Sequence, residues 1–359
     1  MAKAAQPENR GTSMSEYSRL FDGWVTRYKL NRPLNKYELH NRLSVKKPVE
    51  LPPLDKGIIK LNSSFMEYVD RYFFWRGWAA MSGGIVGGPM LFFTLLFGLT
   101  IYTPPNSGIM SVEHVLAGWF ATISYGSMVV WIYFLAIRRD FFCHTHYPIR
   151  FNRKNRKVYI FQRKSLGGIL EADWEKVYWI IGKIKDTPNM TYDLRGHILD
   201  DDGLIRHTFS VGHCSKNWVE TLQHWEMIRR YMEDSPADLP FPPLRLFVCI
   251  EPTFRNAFIN QAGAVDGFKS LPLLIFASSW AFFRWISQRT CRKPQWPADI
   301  EAACQIDDDD PYRQPEPWRM GEVLGMTEED HQKGTEYTLQ ANATAAVHAQ
   351  AHPEPRVSD

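Results

Sequence analysis

Two long runs without a charged residue constrain this chain more than any other feature. Residues 115–137 form one uncharged stretch of 23 residues, and residues 77–103 form another. An apolar helix of about 20 residues crosses the hydrocarbon core of a bilayer, whereas a soluble helix of that length normally carries a polar face. The sequence therefore predicts a transmembrane helical hairpin with spans at about 77–103 and 115–137.

The charges beside these runs predict the orientation of the hairpin. Lys and Arg are frequent before the first run, Arg138 and Arg139 follow the second run directly, and residues 102–114 between the runs contain neither. Because cytoplasmic flanks carry the excess of positive charge, we expect a multi-pass protein of the bacterial inner membrane with both termini in the cytoplasm. The five cysteines would then face a reducing compartment and remain free thiols.

The segments around the first span divide the front of the chain. Residues 1–62 are polar, lack the apolar core of a secretion signal, and are expected to form a cytoplasmic segment. Residues 63–142 are assigned to an interfacial helix, capped by Ser63 or Ser64, plus the hairpin. Within the first span, small residues would let a helix approach closely, either the second span or a copy in a homo-oligomer. These helix-packing candidates are Gly83, Gly84, Gly87 and Gly88.

Residues 143–238 have the pattern of a separate β-rich domain. PIRFNRKNRKVYIFQ and MTYDLRGHILDDDGLIRHTFSVGH each alternate apolar and polar residues on both sides of a turn, which predicts two hairpins. SKNWVETLQHWEMIRRYMED then spaces apolar residues by three or four, which predicts an amphipathic helix. Antiparallel strands followed by one C-terminal helix resemble a pleckstrin-homology-like (PH-like) roll or barrel. The predicted fold class is therefore an α+β membrane protein with a helical hairpin and a PH-like cytoplasmic domain.

The chain after this domain is predicted to be an extension and a tail. Residues 239–320 begin with the Pro-rich LPFPPLRL and include a mainly apolar helix at 270–290, which is short for a span and is expected to be interfacial or docked on the fold. Residues 321–359 contain few large apolar residues and are predicted to be disordered.

A basic segment directly after the second span is the main candidate site. Its charges would attract anionic headgroups or a protein partner, each worth about 1 kcal/mol near an anionic leaflet. The predicted lipid- or partner-binding residues are Arg138, Arg139, Arg150, Arg153, Lys154, Arg156 and Lys157. No recognised nucleic-acid motif accompanies them, so nucleic acid is not an expected partner.

A His-x-His pair in the same segment raises a metal-site alternative. In an extended strand, His144 and His146 would point to the same side and could supply two ligands, but the sequence shows no third ligand nearby. They remain weak candidates, and no metal or other cofactor is predicted. Nucleophile-elbow, phosphate-loop and His-Glu-x-x-His patterns are also absent from the sequence, so the protein is expected not to be an enzyme.

Three segments resemble an uncharacterised family of bacterial two-span inner-membrane proteins with a PH-like cytoplasmic domain. They are PIRFNRKNRKVYIF after the second span, ADWEKVYW, and HWEMIRRYMEDSPADLP at the end of the domain. Members are often encoded near type VI secretion effectors, so the resemblance implies an accessory, adaptor or immunity protein whose partner is an effector or toxin. Two alternatives remain open: an anionic-lipid-sensing module, and a metal-dependent enzyme or sensor at His144 and His146.

Overall fold

The structure is a computed structural model of the 359-residue chain. It describes residues 28–54, 57–101, 103, 111–162, 168–184, 191–240, 248–265, 269–314, 316–320 and 327–351. The fold is α+β, with antiparallel sheets and two long apolar helices.

The first sheet is a five-stranded antiparallel meander in the order β1-β2-β3-β4-β5. The hairpin predicted around the turn NRKN (residues 152–155) is confirmed, with the turn one residue later at 153–156, because Asn152 pairs with Lys157 across it. The helix predicted from Ser63 or Ser64 is wrong, since residues 65–68 pair with β3 across more than 80 positions of sequence. The strands are β1 (Ile58–Leu61), β2 (Phe65–Tyr68), β3 (Ile149–Asn152), β4 (Lys157–Phe161) and β5 (Ile169–Asp173).

The second sheet has three antiparallel strands in the order β6-β7-β8. These are β6 (Tyr178–Ile184), β7 (Thr191–Leu199) and β8 (Ile205–Ser215). Gly203 in the turn between β7 and β8 has a φ of 75°, a left-handed conformation that glycine adopts without a steric penalty. The second predicted hairpin is therefore also confirmed.

Helix α6 (Trp218–Glu233) packs with both sheets around one apolar core. Asn217 caps the helix by accepting a hydrogen bond from the Val219 amide. Trp225 from the helix stacks on Trp174 with ring centroids 5.6 Å apart and lies 5.5 Å from Trp179. All three tryptophans are fully buried, and each large side chain contributes roughly 1.5–3 kcal/mol or more through burial.

The two apolar helices form an insertion in the first sheet. They leave the sheet after β2 and return to it at β3, so the sheet and the hairpin share two chain connections. The elements are α2 (Arg71–Trp75), α3 (Trp78–Thr100), α4 (Val112–Ile132), a π-helical turn (Tyr133–Ile137) and α5 (Arg138–Asp140).

The remaining helices pack around the sheets and the base of the hairpin. Helix α8 contacts both α7 and α3, and Ile300 of α9 packs on Phe65 and Tyr159 of the first sheet. Helix α10 packs against α6, with Ala341 and Ala345 buried. The prediction of a disordered tail is thus wrong for residues 328–351. The bounds are α1 (Lys36–His40), α7 (Phe254–Ala264), α8 (Leu271–Arg289), α9 (Ala298–Ala303) and α10 (Glu328–Ala351).

Candidate membrane-anchoring site

The outer surface of α3 and α4 is apolar and uncovered. In the helical segment 71–100, only 22% of the most apolar 18-residue stretch is buried. In the segment 112–140, only 6% of the corresponding stretch is buried. Among the described residues, eighteen large apolar side chains between positions 85 and 135 are exposed. Phe120, for example, is 76% exposed and Leu99 is 65% exposed. A helix in the core of a soluble protein would bury such side chains, so these two helices do not serve as a protein core.

The predicted packing glycines face different neighbours. A Cβ on Gly83 would lie 2.9 Å from Ile137, and one on Gly87 would lie 3.4 Å from Ile132, so both glycines face the end of the second apolar helix of the same chain. Gly84 faces Phe283 of α8 at 2.8 Å, and Gly88 has no neighbour within 4 Å. Within this chain, the close approach therefore involves three of the four glycines.

Helix α8 is docked on the base of α3 and also has an exposed apolar stripe. On the packed side, the Trp280 ring lies 5.2 Å from the Trp78 ring. On the other side, four residues at helical spacing are exposed to between 38% and 68%. The stripe consists of Leu271, Ile275, Phe282 and Ile286. Helix α8 thus extends the uncovered apolar surface of α3 along the side of the protein.

A buried carboxylate joins the two ends of the hairpin. Asp140, which ends α5 and is fully buried, accepts a 2.6 Å hydrogen bond from Tyr72 Oη and a 2.8 Å bond from the Ala80 amide. That amide is one of the first donors of α3, which have no partner within the helix. The residue before α3 is Gly77, which has no side chain to cap it. Asp140 supplies this cap from the far end of the hairpin, and its negative charge also suits a helix N-terminus.

Gly77 is where α8 crosses the start of α3. Its φ is 87°, and a Cβ there would lie 2.5 Å from Arg284 Cα. The buried Arg284 side chain donates a hydrogen bond to the Phe73 carbonyl at 2.5 Å and lies over the Phe73 ring. The site therefore requires glycine both for its backbone conformation and for the space it leaves.

Arg150 must be removed from the predicted lipid-binding residues. It is 2% exposed, its Nε donates to Glu67 Oε2 at 2.7 Å, and its guanidinium lies between the rings of Phe65 and Trp296. Although burial opposes the charge, Glu67 raises the pKa of Arg150. The outer face of β3 is covered by the chain around α9, so Arg150 has no access to a membrane surface.

The other basic residues of the β3–β4 hairpin are paired with acids or backbone carbonyls. Arg156 bonds Glu175 and Glu233, and Lys157 bonds Glu171. Lys154 lies 3.6 Å from Asp307, and Arg153 donates to the Asp234 carbonyl. These contacts fix the β3–β4 turn to β5, α6 and the chain after α9.

The β3–β4 turn also lies at the end of the sheet away from the apolar helices. The helices join the sheet near Tyr147, whose amide donates to Asp70 at 2.8 Å. Seven positions separate Tyr147 from Lys154, which at about 3.3 Å per residue is roughly 20 Å. This distance exceeds the Debye length of about 8–10 Å at physiological salt. Only Arg138 and Arg139 of the predicted set lie directly at the end of the apolar helices.

The structure does not bring His144 and His146 together with further ligands. His146 is buried with Nδ1 3.0 Å from Thr145 Oγ1, and burial, followed by the positive charge of Arg76, lowers the pKa of His146 to about 3. The His144 ring instead contacts Tyr147 and Phe161. Among the described residues, no group of three or more His, Cys, Asp or Glu side chains is placed to hold a metal ion.

Sequence reasoning missed the residues that connect the hairpin to the sheets. Asp140 is the one acid between Arg138 and Lys164, and that isolation among basic residues was the available signal. Its partners Tyr72 and Ala80 lie at least 60 positions away, and the sequence does not indicate such pairings. Arg284 was visible as a charge interrupting the apolar run at 270–290, but its place against Gly77 was not.

Comparison with known proteins gives a family and no function. No curated protein and no solved structure matches the chain. A family model described as a family of unknown function, DUF6708, matches residues 126–308, which extend from within α4 to just beyond α9. This match covers half of the chain, and the protein therefore belongs to the DUF6708 family.

Proposed function

We propose that this protein is a non-enzymatic accessory, adaptor or immunity protein of the bacterial inner membrane. In this proposal α3 and α4 cross the bilayer, and both termini and both sheets lie in the cytoplasm. The two antiparallel sheets and α6 act as a PH-like domain that binds a protein partner. The resemblance noted from the sequence suggests a type VI secretion effector or toxin as that partner.

The uncovered apolar surface of α3 and α4 carries the proposal. Burial of one large apolar side chain contributes roughly 1.5–3 kcal/mol. Eighteen such side chains therefore correspond to several tens of kcal/mol, far more than the 5–15 kcal/mol that a folded domain normally has in total. Lipid would cover this surface without a further protein, and the length of both helices suits a bilayer.

The proposed orientation follows from the positive charges at the base of the apolar hairpin. Arg138 and Arg139 follow the second span, and the Arg138 guanidinium lies 5.8 Å from the centre of the Phe134 ring. The segment between the spans has no Lys or Arg. Contact with anionic headgroups is proposed for Arg138 and Arg139 because they directly follow the second span. The basic residues of the β3–β4 turn, which lies away from the apolar helices, are assigned a structural role. The exposed stripe of α8 would lie at the same cytoplasmic surface.

Alkaline carbonate extraction tests the membrane assignment. The full chain should remain in the membrane pellet after the wash, and recovery in the soluble fraction would contradict the proposal. A matched pair of double variants tests the charges. Arg138→Gln with Arg139→Gln should reduce correct orientation of the hairpin, whereas Arg153→Gln with Lys154→Gln should leave it unchanged.

Purification from native membranes tests the partner assignment. The full chain, extracted in mild detergent, should carry a secretion effector or toxin in stoichiometric amount. A hairpin-only fragment of residues 71–140 serves as the control, because it retains the apolar surface but lacks the sheets. A full chain that purifies without any stoichiometric protein would contradict the adaptor role and leave the membrane assignment intact.

A further inference from the structure

Two cysteines that are far apart in the sequence meet at the base of the hairpin. The Sγ atoms of Cys143 and Cys291 are 3.6 Å apart, although 148 positions separate the residues. Both side chains are half-buried, and neither is in a disulfide. The segments that carry them lie side by side: the Arg292 amide donates to the Cys143 carbonyl at 2.9 Å, and the Thr145 amide donates to the Arg292 carbonyl at 2.9 Å. The backbone thus holds the two sulfurs next to each other.

A buried guanidinium faces both sulfurs. Arg76 is fully buried, and its Nη1 lies 3.2 Å from the Cys143 Sγ and 3.5 Å from the Cys291 Sγ. A nearby cation favours a thiolate and makes the sulfur more nucleophilic. The same charge repels a metal cation, so this arrangement suits thiol chemistry better than metal binding.

We propose that Cys143 and Cys291 form a redox-active dithiol site whose substrates are two-electron oxidants such as hydrogen peroxide. Cys143, nearer to Arg76, releases its thiol proton, and the thiolate attacks one peroxide oxygen. The O–O bond breaks, a sulfenic acid forms on Cys143, and the hydroxide that leaves takes up the released proton to become water. The Cys291 thiol then attacks the Cys143 sulfur and water leaves, giving a disulfide. In total, two thiols and one peroxide give one disulfide and two waters, and the Sγ–Sγ distance shortens from 3.6 Å to about 2.05 Å.

The order of the two steps agrees with the surroundings of the second sulfur. The hydrogen bond with Cys143, together with burial, raises the pKa of Cys291, which keeps the proton on that sulfur. Cys291 therefore acts as the resolving thiol. The disulfide would tie the end of the α3–α4 hairpin to the end of α8, and so couple the C-terminal helices to the anchor.

Oxidation of the reduced full chain in detergent micelles tests the site. The protein is treated with hydrogen peroxide, remaining thiols are blocked with N-ethylmaleimide, and a non-reducing digest is analysed by mass spectrometry. A linked peptide pair containing Cys143 and Cys291 should appear, and Cys143→Ser or Cys291→Ser should abolish it. Cys214→Ser, which removes a half-buried thiol of β8, should leave the linked pair unchanged.

Trapping of the intermediate separates the roles of the two sulfurs. In the Cys291→Ser variant, Cys143 should accumulate sulfenic acid that dimedone labels. In the Cys143→Ser variant, dimedone should label little of Cys291. The inference is overturned if peroxide leaves Cys143 and Cys291 unlinked in the folded wild type, or oxidises them no faster than Cys214. Because the test is made in detergent, either result is independent of the membrane proposal.

Discussion

Helices α4 and α6 show opposite relations between composition and burial. Helix α4 is almost entirely apolar, yet only Gly118 and Ile132 are buried along it. Helix α6 contains Glu, Arg, Gln and His, yet 12 of its 16 residues are buried. In one aqueous solvent this arrangement would be unfavourable for α4. The difference shows that protein surrounds α6, whereas the apolar side chains of α4 are uncovered, as the proposed bilayer location requires.

The polar residues of α6 are buried because they are paired. Glu226, which is fully buried, accepts hydrogen bonds from Arg229, Arg230 and the Val49 amide. Although burial opposes the charge, these bonds lower the pKa of Glu226 below its usual value. Gln223 similarly donates to the carbonyls of Pro52 and Ala341. Such pairing makes burial of polar groups tolerable, and it attaches the N-terminal segment and α10 to α6.

The largest expected effect comes from breaking this pairing. Glu226→Gln removes the fully buried one of the two carboxylates that pair with Arg229, the other being Asp234, and loss of one partner of a buried pair costs about 3–5 kcal/mol. The free energy of unfolding, measured by denaturant titration in detergent, should fall by that amount. Glu220→Gln is the matched control, because Glu220 is exposed on the same helix and its change should stay within about 0.5 kcal/mol. Equal effects of the two variants would contradict the account of α6.

A charge in α4 tests its surroundings directly. Ile123 is 63% exposed, so Ile123→Lys would be nearly neutral if α4 faced water. In a bilayer, Lys near the centre of a span costs about 2.5–3.5 kcal/mol, and the variant should lose carbonate-resistant membrane retention. Ile123→Val serves as the control and should be retained. Full retention of the Lys variant would show that α4 is not surrounded by lipid.

Substitution of two glycines with the same backbone conformation tests the contact between α8 and the apolar hairpin. Gly77 and Gly168 have φ values of 87° and 81°, but only Gly77 has atoms within 4 Å of a built Cβ. Alanine at either position costs about 1–2 kcal/mol for the left-handed conformation. Gly77→Ala should cost about 1–3 kcal/mol more, because it displaces the α8 backbone. Thermal unfolding of both variants checks this, and equal losses would mean that α8 does not pack there.

The smallest expected effect is a pH dependence of the free energy of unfolding, caused by the buried His146 beside the base of the apolar hairpin. The pKa of His146 in the folded protein is about 3, whereas an unfolded His titrates near 6.5. Stability from this neutral, buried His is present above pH 6.5 and is lost as the pH falls below it. Between pH 7.5 and 5.5 the loss is about 1.4 kcal/mol.

The neighbouring Asp70 acts in the opposite direction. Burial raises the pKa of Asp70 to about 6. As the pH falls through 6, this buried carboxyl becomes neutral in the folded protein, and the stability of the fold increases. His146→Gln isolates the histidine, since it leaves Asp70 in place. The variant should lose less stability than the wild type between pH 7.5 and 5.5 in denaturant titrations, and an unchanged pH slope would contradict burial of a neutral His146.

The sequence was sufficient where the determining interactions are local. The two apolar helices, the hairpin around residues 153–156 and helix α6 follow from run length, turn chemistry and periodicity. Strand β2 was missed because its partner β3 is more than 80 residues away, and SSFMEYVD has no strict alternation. Helix α10 was missed because its sequence has few large apolar residues. Its small residues Ala341 and Ala345 are nevertheless buried, and the helix packs on α6.

The candidate site was only partly predictable, for a related reason. Alternation along β3 correctly places Ile149 and Phe151 in the core and leaves Arg150 on the opposite face. The sequence does not show that α9 and Trp296 cover this opposite face. Strands buried on both faces usually read as continuous apolar runs, so the alternation along β3 favoured an exposed polar face. The basic cluster was therefore interpreted as an exposed binding surface, whereas Arg150 is buried and Lys154, Arg156 and Lys157 form ion pairs at the surface.

The position of the loop between the two apolar helices tests the central claim most directly. Alkaline phosphatase, which is active only outside the cytoplasm, can be fused after Pro105 and, as a control, after Ala351. The account predicts an active enzyme after Pro105 and an inactive one after Ala351. An inactive fusion after Pro105 in a stably expressed protein would contradict a hairpin that crosses the membrane.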